Sequence, residues 1–131
     1  RGTPQARLSM TQYDHLVLDV TKELAQRIAQ ARQHGISDVI VDPGFGFAKT
    51  TAQNFTLLAE LEHLKHLDVP ILIGLSRKSM IYKTLKINPE EALNGTTALN
   101  TIGLRNGASI LRVHDVAQAQ ETISLMQALK N

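Results

Sequence analysis

Three short apolar runs constrain this chain more than any other feature. They are Asp38-Val-Ile-Val-Asp42, Pro70-Ile-Leu-Ile-Gly74 and Ser109-Ile-Leu-Arg-Val113. Brief runs rich in β-branched residues and bounded by turn formers read as buried strands. Helical spacing fills the stretches around them. Leu16, Val20, Leu24, Ile28 and Ala31 mark a first helix, closed by Gly35 as a C-cap. Leu57, Leu58, Leu61 and Leu64 mark a second, and a short helical turn follows Ser76. Pro89 sits near the start of a helix spanning Glu90 to Asn106, ended by Gly107. Val116, Ala119, Ile123 and Met126 mark the last. The order α-β-α-β-α-β-α, with strands too uniformly apolar for a half-exposed sheet, predicts an α/β fold of parallel strands with helical crossovers.

Alternation along a strand sharpens this. Ile40 and Asp42 share one side of the first run, and Val39 and Val41 the other. Leu72 and Gly74 share a side of the second; Ile110, Arg112 and His114 share a side of the third and its extension. Each strand therefore has one apolar face suited to helices, and one face that turns small or polar at its C-terminal end. Parallel α/β folds bind ligands at that end.

Composition narrows the function classes. The chain has 131 residues, no cysteine and a net charge of +2, so it holds one domain over residues 1–131 without disulfides or thiolate metal sites. Absence of cysteine fits a reducing, cytoplasmic setting. Aromatic residues are only 4% and the basic residues are scattered, which argues against nucleic acid as a partner. The longest apolar stretch, Val69 to Leu75, is broken by Pro70 and is too short for a membrane span. His15, His34, His63 and His66 lack ligand spacing with carboxylates, so no intrinsic metal site is expected. Arg1-Gly2-Thr3-Pro4 carries no initiating Met and reads as a loop following something already folded, a first hint of a fragment.

Three constellations carry chemistry. In Asp42-Pro-Gly-Phe-Gly-Phe-Ala-Lys49, Pro43 ends the strand, and Gly44 and Gly46 let the backbone approach a ligand. A carboxylate there can accept two parallel hydrogen bonds from a planar donor pair, such as the aminopyrimidine edge of a pterin. The plainer reading is a turn-capping Asp. In Gly74-Leu-Ser-Arg-Lys-Ser79, Gly74 leaves room for a ring, Lys78 could bond the carbonyl side of a heterocycle, and Ser79 could orient a second substrate. The plainer reading is a basic turn on a surface helix. In Arg112-Val-His-Asp115, Arg112 and His114 project from one face and suit phosphate or pyrophosphate. The alternative is a structural ion pair of Arg112 with Asp42 or Asp115.

Taken in order at successive strand ends, these motifs resemble dihydropteroate synthase, and the opening Arg1-Gly2-Thr3-Pro4 resembles the loop after the fifth strand of that family's (β/α)8 TIM barrel. The resemblance covers essentially the whole chain but only the C-terminal part of the barrel, strands six to eight. It implies that Asp42 holds the pterin's amino edge, with Gly46, Phe47 and Gly74 lining the pocket. It further implies that Lys78 contacts the pterin ring, with Ser79 near the p-aminobenzoate site, and that Arg112 and His114 bind pyrophosphate. Lys78, Arg112 and His114 form the implied catalytic set. Ala48 stands where many members have Gly. Magnesium is the implied cofactor, its supporting Asn lying outside this chain, and sulfonamides compete for the p-aminobenzoate position. The substrates implied are small molecules: 6-hydroxymethyl-7,8-dihydropterin pyrophosphate and p-aminobenzoate. Alone, the chain is expected to be inactive, and to form a homodimer or associate through open barrel edges. Two alternatives stay open: another pterin-binding barrel such as a methyltetrahydrofolate methyltransferase, or a non-catalytic half barrel that binds pterin or anions.

Overall fold

The computed structural model describes residues 2–46 and 49–130, with side chains from residue 15 onward. Helix α1 (Gly2–Gln33) opens the chain. The loop expected at Gly2-Thr3-Pro4 is instead its first turn, and Arg1 lies outside the described residues. A proline there costs little, because amide hydrogens in a first helical turn have no intrahelical acceptor. At the other end Gly35, at φ +83°, closes the helix as expected. Ile36 N–H bonds Ala31 O and Gly35 N–H bonds Arg32 O, both at 3.0 Å, the paired bonds of a Schellman ending.

The remaining elements are α2 (Thr51–Ala59), β1 (Leu72–Ile73), α3 (Ser79–Leu85), α4 (Leu93–Arg105), β2 (Ile110–Leu111) and α5 (Val116–Lys130). A 3-10 helix, Leu61–Leu67, follows α2, and a 3-10 turn, Pro89–Glu91, precedes α4. The single helix expected through Leu57–Leu64 is thus two pieces. Leu61, Leu64 and Leu67 recur every three residues, the spacing a 3-10 helix aligns on one side. Thr50 starts α2 with a capping box to Gln53, a Thr-x-x-Gln signal present in the sequence.

Strands β1 and β2 pair in parallel, Leu72 with Ile110 and Ile73 with Leu111, and Val41 makes a lone parallel bridge to Ile71. The parallel arrangement matches expectation, but the strands are shorter than the five-residue runs suggested. A ladder extends only where donors and acceptors meet in register. Pro70 lacks an N–H, and the Asp38–Val41 segment touches β1 through two bonds, Val41 N–H to Pro70 O (3.0 Å) and Leu72 N–H to Val41 O (2.8 Å).

The two faces behave as alternation requires. Val41, Ile71 and Ile73 are 5% exposed or less and join Leu57, Leu58, Leu61, Leu64 and Ile28 in the core beneath the helices. On the opposite face Ile40 is 56% exposed, and Leu72 and Ile110 are half-buried. Each buried aliphatic side chain contributes about 1.5–3 kcal/mol, so the helix-covered face supplies the hydrophobic stabilisation. Among the described residues no helix is long and apolar enough to cross a membrane.

Candidate functional site

The polar ends of the three extended segments converge above the uncovered face. A hollow of about 140 Å³ is lined by Gly74, Ser76, Lys78, Arg112, Val113 and His114. Larger hollows exist elsewhere, one beside α1 and one between α4 and α5. The small one is distinguished by convergent cationic and hydrogen-bonding groups.

Arg112 leaves β2 directly opposite Gly74. A Cβ placed on Gly74 would lie 2.7 Å from one guanidinium nitrogen of Arg112, so only glycine lets the guanidinium lie against the backbone. The other terminal nitrogen is 3.7 Å from Asp42 Oδ2. That is an ion pair without a hydrogen bond, and both side chains are well exposed, which makes it a weak tie. Asp42 Oδ1 meanwhile accepts the Gly44 N–H at 2.8 Å. The turn-capping reading of Asp42 is therefore present in the structure, and it occupies one oxygen while the other faces the site.

The glycine-rich loop is held from outside. Gly46, at φ +94°, donates its N–H to Asn54 Oδ1 at 2.9 Å, and Lys49 Nζ donates to Gly44 O at 2.8 Å. Asn54 is 3% exposed and anchored to Thr50 O. The Lys78 stem lies over Gly46, where a Cβ would come 3.2 Å from Lys78 Cδ. Lys78 Nζ donates to Phe45 O at 2.7 Å. Burial, and next the positive charge of Arg112, hold the Lys78 ammonium below its ordinary pKa of 10.5; Asp42 opposes this and Lys49 adds to it.

That depression has a sign. Between the folded and ordinary pKa values the unfolded chain binds more protons, so the Lys78 contribution to stability rises with pH there. The urea midpoint of the native chain is expected to gain on that of Lys78→Met as pH climbs from about 7 towards 10.5. A constant difference across the range would remove the effect.

The second and third motifs are interlocked. Ser76 Oγ lies 2.7 Å from His114 Nδ1 and accepts the His114 N–H at 3.2 Å. Arg77 bonds Asp115 through both Nε (3.3 Å) and a terminal nitrogen (2.8 Å). The Asp115 partner is thus Arg77, and Arg112 stays turned to the site. Arg77 adopts φ +56°, a conformation that costs a non-glycine residue of order 1 kcal/mol. Its N–H is met by Thr96 Oγ1 at 3.0 Å, whose own proton goes to Ala92 O at 2.7 Å. Thr96 is 4% exposed. Thr96→Val is expected to cost roughly 1–3 kcal/mol, because it leaves the part-buried Arg77 N–H without its acceptor, while Ala92 O keeps the Thr96 N–H. Urea denaturation checks this, and a change under about 0.5 kcal/mol would show that solvent replaces the hydroxyl.

Of the residues singled out in the sequence, Gly74, Lys78, Arg112 and His114 meet in one hollow, with Asp42 and Gly46 beside it. Ser79 begins α3, half-buried, and is not among the described residues lining that hollow. Phe47 and Ala48 lie outside the described residues. Among the described residues no cluster of His, Cys, Asp and Glu could hold a metal ion. Asn54 and Thr96 lie outside the three motifs, whereas Ser76, Arg77 and Asp115 lie within them and gain their contacts only from the fold.

The family described as pterin binding enzyme matches residues 1–114. The chain is 38% identical over 130 residues to the dihydropteroate synthase of Escherichia coli, covering 98% of this chain and 46% of the relative. It is 40% identical over 132 residues to that of Synechocystis, with the same coverage of 98% and 46%. Among solved structures, dihydropteroate synthase from Xanthomonas albilineans in complex with 7,8-dihydropteroate matches with a TM-score of 0.83 at 42% identity, over 88% of this chain and 46% of that one. The Yersinia pestis enzyme gives 0.84 at 37% identity, over 88% and 56%. The chain spans about half the length of the curated relatives it matches.

Proposed function

This chain belongs to the pterin-binding enzyme family, and from that premise we propose that it is the pterin- and anion-binding part of a dihydropteroate synthase. In this reading Val41, β1 and β2 lie in strands six to eight of a (β/α)8 barrel, and residues 1–131 are its C-terminal part. The observation that carries it is the convergence of a carboxylate, a lysine and an Arg–His pair at three neighbouring strand ends.

The roles follow from chemistry. Asp42 offers acceptors to the donor edge of the pterin. Lys78 meets the ring's carbonyl side, while Gly46, Phe47 and Gly74 leave room for the ring. The amine nitrogen of p-aminobenzoate, oriented near Ser79, attacks the methylene carbon of 6-hydroxymethyl-7,8-dihydropterin pyrophosphate. The carbon–oxygen bond breaks and pyrophosphate departs with the electron pair. Arg112 and His114 stabilise charge developing on that leaving group. The described residues do not form a magnesium site, so no step here is routed through the metal. A methyltetrahydrofolate methyltransferase would use Asp42 similarly but would have no leaving pyrophosphate for the Arg112–His114 pair. The X. albilineans protein is in complex with 7,8-dihydropteroate, the product of this reaction, which supports extending the reaction to this chain.

Calorimetry with a pterin and with pyrophosphate, separately and together, tests this. Binding of both, with the pterin lost in Asp42→Ala and pyrophosphate lost in Arg112→Ala, is the expected result. Binding of neither, by a chain shown to be folded, would overturn the assignment of these residues.

A further inference from the structure

Ser76 has no part in the chemistry just described, yet it sits at its centre. It is 8% exposed in the turn three residues beyond β1, and among the described residues both hydrogen bonds of its hydroxyl are with His114. The His114 amide donates to Oγ at 3.2 Å. An N–H can only donate, so one Oγ lone pair is taken. The ring nitrogen Nδ1 lies 2.7 Å from the same oxygen, and two arrangements of protons are conceivable. If Nδ1 carried hydrogen, Oγ would accept twice and its own buried proton would meet no acceptor, which is costly. If Oγ–H donates to a bare Nδ1, both the buried hydroxyl and Nδ1 are satisfied.

We propose that Ser76 is a positioning residue that fixes neutral His114 as the Nε2–H tautomer. The ring then presents a hydrogen-bond donor, rather than a lone pair, at the nitrogen away from Ser76, and Arg112 lines the same hollow as His114. An anion held by Arg112 can therefore meet a donor from the neutral ring as well as the guanidinium. This rests on the reading of Arg112 and His114 as an anion clamp, and it adds what that reading lacks, namely the group that sets the proton on the ring. It also gives Arg112 and His114 distinct duties: Arg112 supplies fixed charge, and His114 supplies a directed donor without adding a further cation to the hollow that Lys78 and Arg112 line.

The test uses the whole chain labelled with ¹⁵N-histidine, at a pH where the rings are neutral. Imidazole nitrogen shifts and long-range couplings distinguish the tautomers, and the spectrum of His114→Asn identifies the resonances of His114. A single Nε2–H form is expected in the native chain. Ser76→Ala is expected to show a mixture, with pyrophosphate affinity reduced roughly three- to ten-fold, and Ser76→Thr to restore both. An Nδ1–H form in the native chain would overturn the proposal without recourse to any variant. So would a Ser76→Ala chain whose tautomer is unchanged, since a purely packing role for Ser76 predicts that result. Failure of the native chain to bind pyrophosphate would instead count against the anion clamp, leaving the tautomer measurement to decide the role of Ser76.

Discussion

Replacing Asp42 with alanine is expected to weaken pterin binding by at least about 100-fold, since two charge-assisted hydrogen bonds are each worth about 1.5–3 kcal/mol. The loss should reach the calorimeter as a titration without measurable heat of binding. Alanine alone does not settle why, because Asp42 Oδ1 also accepts the Gly44 N–H. Its removal could loosen the glycine turn and act indirectly. Asp42→Asn separates the two roles. Asparagine keeps a carbonyl oxygen for the turn, and Asn is as good a turn residue as Asp. It replaces the second acceptor with an NH₂ group that opposes a donor on the pterin. Equal loss in the two variants assigns the carboxylate to recognition. Native-like binding by Asp42→Asn would make Asp42 a turn residue and leave Lys78 and the Arg112–His114 pair to hold the ligand. The Asp42–Arg112 pair predicts little change in fold stability either way, because both partners are exposed and 3.7 Å apart.

The face assignment was legible because it depends only on the two-residue period of an extended chain. Val41 went under the helices while Ile40 and Asp42 did not, as their alternation required. Strand length was not legible, since it depends on which neighbour supplies the next donor. Nor could the interlock be read from either motif separately. The register that pairs Leu72 with Ile110 and Ile73 with Leu111 has an offset of 38 residues. The same separation joins Ser76 to His114 and Arg77 to Asp115, and it sets Gly74 against Arg112. One register therefore generates all three contacts. Without it, nothing in the two motifs pairs Ser76 with His114 or Arg77 with Asp115. Thr96 and Asn54 were hidden for a related reason. Each sits inside a helical stretch, and its side chain satisfies an amide of a loop outside that helix, Arg77 and Gly46 respectively.

The isolated chain is expected to release no measurable pyrophosphate from pterin pyrophosphate and p-aminobenzoate, and to sediment as a dimer or larger species. Both follow from the face opposite the helices. A hollow of about 140 Å³ is well below the 300–1,000 Å³ usual for enclosed small-molecule sites. The Arg112 side chain is 61% exposed, so water screens the charge that must develop on a leaving group. Anion stabilisation is strong only where water is excluded. In the proposed reading, three strand ends would thus hold pieces of substrate without lowering the barrier much. The same openness leaves Ile40, at 56% exposed, beside half-buried Leu72 and Ile110, with backbone edges at Asp38–Asp42 and Ser109–Val113 that lack an outer partner among the described residues. Uncovered apolar surface next to free edges favours association. Ile40→Lys should shift the species towards monomer without disturbing the helix-covered core, because that side chain contributes nothing to it. A monodisperse native monomer would show that the face is tolerated in water. Appreciable turnover by that monomer would show that three strand ends suffice, and would move the origin of catalysis from enclosure to the Lys78, Arg112 and His114 groups themselves.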